Sequence, residues 1–265
     1  MSRKKQWVRR RYGAIASTPD TACCAESACG CSSVERTARK IGYEEADLAA
    51  APKGANLGLG CGNPLALADV KPGETVLDLG SGAGFDAFLA AQRAGPTGQV
   101  IGVDMTPEMV EKARANAAAG GYVTVDFRHG DIEALPVADA SIDLVISNCV
   151  LNLVPDKPKA FREIVRVLKS GGRIAISDIV LDGPLPETLQ GDEDAYCSCV
   201  SGAINRAEYL RGLEDAGLTE VHVVSEADAA ELLAGDCCGA SAPGLTGLVT
   251  SVHVVGRKPP SCGCK

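Results

Sequence analysis

Four cysteines stand where a chain of alternating strands and helices would gather a ligand. Cys61 lies in a glycine-crowded stretch, GANLGLGCGN, over residues 54–63. Cys149 directly follows an apolar run at 142–147, and Cys197 and Cys199 form a Cys-x-Cys pair in a polar segment at 191–203. Thiols in such numbers point to soft-metal binding or redox chemistry. A single cysteine at a strand end is more often a small buried hydrophobe. Structural zinc is the other plain reading, but Cys-x-Cys is one residue tighter than the usual knuckle and no histidine lies nearby. Three or four thiols converging on one mouth would be neither.

A second pattern carries chemistry of a different kind. TVLDLGSGAG, residues 75–84, is an apolar run that stops at Gly80, Gly82 and Gly84, with a helical segment after it. A strand, a tight turn and a helix start form the arrangement in which backbone N–H groups face a cofactor. The full dinucleotide fingerprint is absent, because the third glycine comes one residue early. Asp104 ends the next apolar run, about twenty residues on, where an acid can accept both hydroxyls of an adenosine ribose. Asp131, in GDIEALP, could accept a hydrogen bond from an adenine amino group while Ile132 packs on the ring; a capped turn is the plainer alternative.

The elements that must position these groups fit one α/β unit with an appendage, within 265 residues. Strands are expected at 75–79, 99–104, 124–129, 142–147 and 172–178, with helices at 86–93, 107–119 and 157–168. Thr106-Pro107 reads as a capped helix entry. Phe161, Ile164, Val165 and Leu168 share a helical face that should bury against the sheet. Residues 169–172 (KSGG) read as a sharp stop before the next strand, 13–35 as a loop or arm with a short helix from 33, and 64–70 as a short helix. Beyond 178 the alternation loosens, with a helix at 205–216 capped by Asn205 and strands at 218–224 and 249–256. Such alternation predicts a mostly parallel sheet with helices on both faces and ligands at the strands' carboxyl ends.

Composition narrows the partners. A net charge of −8 argues against general nucleic-acid binding. The N-terminus runs the other way, with Arg3, Lys4, Lys5, Arg9, Arg10 and Arg11 around Trp7, Val8 and Tyr12. A helix docking by those apolar residues is favoured over contact with a membrane or nucleic acid. No long apolar stretch follows, so neither a secretory signal nor a transmembrane span is expected, and a cytoplasmic monomer is. The 12 cysteines then belong to a reducing compartment rather than to a disulfide scaffold.

The run of DLGSGAG, GVDMTPEMVEKARANA, GDIEALP and REIVRVLKSGGRIAISD resembles the class I S-adenosylmethionine-dependent methyltransferases. That resemblance implies a Rossmann-like three-layer α/β sandwich with a seven-stranded, mostly parallel sheet whose last strand is antiparallel; 249–256 suits that strand. It also implies that Asp78, Gly80, Ser81, Gly82 and Gly84 hold the methionine part of the donor and that Asp104 binds the ribose. Met105, Asp131 and Ile132 would flank the adenine, and Asn148 would line the methyl-donor face. The chain departs from the usual Lys-Pro-Gly at Lys169-Ser170-Gly171, a helix end. Three stretches follow: a helical, cysteine-rich arm with the glycine-rich loop (1–70), a donor-binding core (71–180), and a substrate-side segment with a cysteine-rich tail (181–265).

Three thiolates suit a trivalent soft element that keeps a lone pair. Arsenic(III) held this way is pyramidal and neutral, so its pair can face the sulfonium methyl without burying net charge. RRRYGAIA, NLGLGCGNP, ISNCVLNLVPDK and CSCVSGAI are similar to the small bacterial arsenite methyltransferases over about residues 7–220. The resemblance implies an arsenic-detoxifying enzyme in which Cys149 and Cys199 are persistent arsenic ligands. Cys61 would be a third ligand that later forms a disulfide with an upstream cysteine. Cys29 and Cys31 are the candidates, with Cys23 and Cys24 not separable from them. Thioredoxin or glutathione would reset that pair. Cys197, Cys237, Cys238, Cys262 and Cys264 have no firm counterpart. Two other readings remain: a methyltransferase of a quinone or small organic acceptor, and a metalloid-binding or redox-sensing module without turnover.

Overall fold

The computed structural model describes residues 1–18, 32–230 and 245–261. In chain order the strands are β1 (Thr75–Leu79), β2 (Gln99–Asp104), β3 (Val125–His129), β4 (Ile142–Asn148), β5 (Leu168–Leu181), β6 (Thr219–Asp228) and β7 (Val249–Arg257). They form one sheet in the order β3-β2-β1-β4-β5-β7-β6. The first five pair in parallel, and β7 runs antiparallel to both β5 and β6. This is the expected Rossmann-like sandwich with its reversed last strand. β1 and β4 are apolar and buried almost throughout, as strands covered on both faces must be.

The described α-helices are α1 (Arg3–Ser17), α2 (Ser32–Lys40), α3 (Glu45–Ala50), α4 (Phe85–Ala94), α5 (Pro107–Gly120), α6 (Lys157–Val167), α7 (Glu193–Cys197) and α8 (Arg206–Asp215). One face of the sheet packs on α6 and α8, the other on α2, α4 and α5. On α6, Phe161, Ile164 and Val167 are fully buried, each worth about 1.5–3 kcal/mol of removed apolar surface, with Val165 packed at the edge. The Asp156 carboxylate caps α6 by accepting from Lys159 N, and the Asn205 amide oxygen caps α8 by accepting from Ala207 N.

Strand order reverses between β1 and β4, so a crevice opens over their carboxyl ends, where Gly80 and Cys149 follow. α1 lies beside that crevice. Its Lys5 ion-pairs with Asp131 (2.5 Å) and Glu133 (2.8 Å), Arg11 pairs with Asp194 at 2.7 Å, and Arg10 pairs with Glu193. The basic N-terminus thus docks within the chain. Among the described residues no helix is long and apolar enough to cross a membrane.

Several local expectations need correction. Residues 13–17 are helical rather than loop, while the short helix expected from 33 is found as Ser32–Lys40, and 64–70 holds only a single 3₁₀ turn, Pro64–Ala66. At Gly13 helix α1 passes close to α5, where the Glu108 carboxylate lies 3.2 Å from where a Cβ would sit. Residues 169–172 do not stop the chain: they bulge within β5, where Gly171 N still donates to Lys258 O. Thr106 takes the cap position of α5 without a side-chain cap bond, its hydroxyl being spent on Asp104.

Candidate active site

The glycine turn after β1 is closed on itself. Gly80 N and Ser81 N both donate to Val103 O, Gly82 N donates to Asp104 Oδ2 at 3.0 Å, and Gly84 N donates to Ser81 O. Those amides are therefore not the bare row that a phosphate would need, contrary to the expectation from the glycine spacing. What the turn offers instead is acid. Asp78 Oδ2 and Ser81 Oγ are buried without a hydrogen-bond partner. Burial first, then the neighbouring Asp86 and Asp104, hold the Asp78 carboxyl well above the usual range. Burial likewise raises Asp86 to about 6 and lifts Asp104. A donor carrying a sulfonium and an ammonium would relieve such a pit, whereas a nucleotide phosphate would aggravate it. The residues present fit S-adenosylmethionine.

Other residues expected at the donor lie in the same region. Asp104 accepts from Gly82 N and Thr106 N through different oxygens, which fixes its carboxylate plane at the crevice. Ile132 is buried, Met105 packs against the cysteine-containing cluster, and Asp131 carries the Lys5 ion pair. Asn148 is fully engaged. Its Nδ2 donates to Gly62 O (2.8 Å), Tyr43 Oη (3.0 Å) and Asp86 Oδ2 (3.2 Å), while its Oδ1 accepts from Cys61 N (3.1 Å). One side chain thus ties the acidic pit to the loop that carries Cys61.

Cys61, Cys149, Cys197 and Cys199 are buried in one apolar cluster with Val8, Leu153, Ile179 and Tyr196. The polar setting expected for Cys197 and Cys199 is not found, because α7 turns both inward. Cys149 and Cys199 hold left-handed backbones, φ 58° and 64°, a costly conformation for residues with a Cβ. Cys199 Sγ donates to Cys149 O at 2.8 Å. Hydrogen bonding with the Cys199 and Cys61 thiols, and then burial, push the Cys149 thiol well above its ordinary value; burial foremost raises Cys61. Both shifts favour the protonated thiol at Cys61 and Cys149. Cys197 stands apart, raised to about 11 by burial.

Asp178, from β5, is a buried neighbour of the thiols that sequence reasoning did not single out. Its carboxylate and the Sγ atoms of Cys61 and Cys149 all lie within 4.8 Å of one another. Asn152 Nδ2, Ile179 N and Tyr209 Oη donate to it, and burial raises it to about 7. The signal was its place at the end of an expected strand. Tyr12 of α1 covers the thiols from the other side, its Oη donating to Cys197 O at 3.1 Å. Contact with the donor turn is direct: a Cβ on Gly80 would meet Val150, the residue after Cys149, at 2.4 Å. Cys23, Cys24, Cys29, Cys31, Cys237, Cys238, Cys262 and Cys264 lie outside the described residues.

Comparison with known proteins agrees with this geometry. The family model described as "Methyltransferase domain" matches residues 70–217. The arsenite methyltransferase of Halobacterium salinarum is 48% identical over 238 residues, 86% of this chain and 61% of that protein. That of Aquipseudomonas alcaligenes is 42% identical over 64% of this chain and 52% of its own length, so the chain spans only part of these relatives. Among solved structures, the arsenic(III) S-adenosylmethionine methyltransferase of Chlamydomonas reinhardtii superposes with a TM-score of 0.59 at 30% identity, covering 86% of this chain and 74% of that one. A sheet of this order, a donor turn of this sequence and relatives of this likeness place the chain in the methyltransferase-domain family, among the arsenite methyltransferases.

Proposed function

We propose that the protein transfers a methyl group from S-adenosylmethionine to arsenic(III) held by Cys61, Cys149 and Cys199. The observation that carries this is the meeting of three buried thiols, from separate segments, against the donor turn. Arsenous acid is neutral. Each of its three hydroxyls leaves as water with one thiol proton, so chelation buries no net charge.

Held at Asp78, Asp86 and Asp104, S-adenosylmethionine would supply an electrophilic methyl for the arsenic lone pair, its thioether being the leaving group, and that chemistry would ask no general base of this chain. This chain's contribution is placement and exclusion of water. Asn148 and the acidic pit fix one partner and the strained cysteines the other, while Trp7, Val8 and Tyr12 of α1 close the apolar wall. Methylation raises arsenic formally to the pentavalent state. Two electrons return it to the trivalent state when a thiol pair becomes a disulfide, for which Cys61 and an upstream cysteine, Cys29 or Cys31, are our candidates. A dithiol reductant of the thioredoxin type, or glutathione, would then reopen it.

The Cys149→Ser variant tests the reading. It should keep S-adenosylmethionine binding and lose methyl transfer to arsenite, read by speciating the arsenic products. Turnover of free arsenite by that variant would remove the assignment.

A further inference from the structure

The loop carrying Cys61 has no regular structure of its own, yet its thiol is held beside Cys149. Three side chains from the sheet hold it. Asn148 at the end of β4 accepts from Cys61 N. Ser251 Oγ, on β7, donates to Cys61 O at 2.7 Å. Two residues along the same strand, His253 Nε2 accepts from Asn63 N at 3.2 Å. The last bond defines the imidazole. An Nε2 that accepts leaves the proton on Nδ1, which faces Ser225 Oγ of β6 at 2.6 Å. Asn63 N, which can only donate, thereby sets the tautomer, and Ser225 Oγ accepts from Nδ1 and holds the ring in place. The loop lies hard against this support: a Cβ on Gly62 would stand 2.5 Å from His253 Nε2 and 2.9 Å from Ser177 Oγ, so only glycine passes.

We propose that His253, oriented by Ser225, is a positioning residue that fixes Cys61 as the third thiol of the site. It thereby sets whether the protein handles arsenic with three exchangeable ligands or only with two. The inference rests on the arsenic reading above. Arsenous acid has three hydroxyls to exchange and needs all three thiols for a closed, neutral pyramid. Methylarsonous acid has two, because its methyl group occupies the third position, and Cys149 with Cys199 satisfies it. Loss of the His253 bond leaves Asn63 N unpaired beneath the loop, and the Cys61 backbone then departs from its place opposite Cys149. The donor turn and the other two thiols stay as they are.

The experiment compares full-length His253→Ala, His253→Gln and His253→Asn with the parent, all reduced. A glutamine oxygen reaches the Nε2 position and restores the acceptor; an asparagine oxygen falls short, at Nδ1. Initial methyl transfer to arsenite should drop about tenfold in the Ala and Asn variants, with methylarsonous acid affected less than about twofold and Gln near the parent. Equal loss on both arsenicals, or no loss on either, overturns the proposal. A second readout does not involve arsenic: the iodoacetamide alkylation rate of Cys61, followed by peptide mass spectrometry. It should rise in His253→Ala and His253→Asn and return in His253→Gln. If the parent methylates neither arsenical, the functional reading fails. The alkylation rates then still decide whether His253 holds the loop, and unchanged rates overturn it.

Discussion

Replacing Asp178 by asparagine should change how stability depends on pH, and the structure sets both sign and size. The carboxyl is buried and raised from an ordinary 3.8 to about 7, chiefly by desolvation. A carboxyl with a raised folded pKa contributes stability that is complete below about pH 4 and is lost as pH climbs to about 7. The full loss is about 4 kcal/mol at roughly 1.4 kcal/mol per pKa unit, and about 2–3 kcal/mol of it falls between pH 5 and pH 8. Asparagine keeps the geometry: its oxygen can accept from Asn152 Nδ2 and Ile179 N as Asp178 Oδ1 does, and its amide can donate to Tyr209 Oη. Lys157, lowered to about 8 chiefly by burial, is held up in part by the Asp178 carboxylate, so the comparison is made in a Lys157→Met background. The assay is urea unfolding of reduced, arsenic-free protein at pH 5, 6, 7 and 8 with a common m-value. The difference between parent and Asp178→Asn should grow in favour of the variant by about 2–3 kcal/mol across that range. Parallel curves would refute the argument, because they would mean that the carboxyl beside Cys61 and Cys149 ionises as freely folded as unfolded.

Two further perturbations probe the donor side. Gly80→Ala places a methyl 2.4 Å from Val150 at a φ of +67°. It should cost about 2–4 kcal/mol of stability and weaken S-adenosylmethionine binding, with Val150→Ala restoring part of both; calorimetric titration and melting read it. Lys5→Met removes the ion pairs to Asp131 and Glu133 from a lysine whose side chain is only 11% exposed. Amide exchange in α1 should quicken about tenfold while β1 and β4 are unaffected, which mass spectrometry resolves by peptide.

Much of the fold was legible because its signals are local. The period of β1 and β2, the glycine stop after β1, the apolar stripe of α6 and the Asn205 cap are each written within a dozen residues, and they matched almost to the residue. The places of Cys61 and Cys149 were legible for the same reason, one lying in a glycine-rich loop and the other directly after a strand. What failed was long-range. The bulge at 169–172 is held by Lys258, nearly ninety residues on, so glycines that look like a stop are carried along by a ladder. Five-residue α7 is too short to show a period, and its burial of Cys197 and Cys199 depends on Tyr12 and Leu153. His253 looks like one residue of a strand until register sets it between Ser177 and Ser225.

The strain at Cys149 and Cys199 gives the site its character. Two left-handed backbones of order 1–3 kcal/mol each would relax in a loop free to move. They persist because Cys149 N donates to Ser177 O at the end of β5, and Cys199 N donates to Tyr196 O within the turn after α7. Both thiols are therefore aimed before any ligand arrives, and Cys61 is held to them by bonds from β4 and β7. On the function proposed above, a site assembled this way would gain its affinity from bonds to arsenic rather than lose part of it to ordering three loops. Fixed sulfurs would then fit a four-coordinate methylated arsenic less well than the trivalent substrate. The sulfur to let go would be the one on the irregular loop, Cys61, whose hold depends on three side-chain hydrogen bonds rather than on a strand.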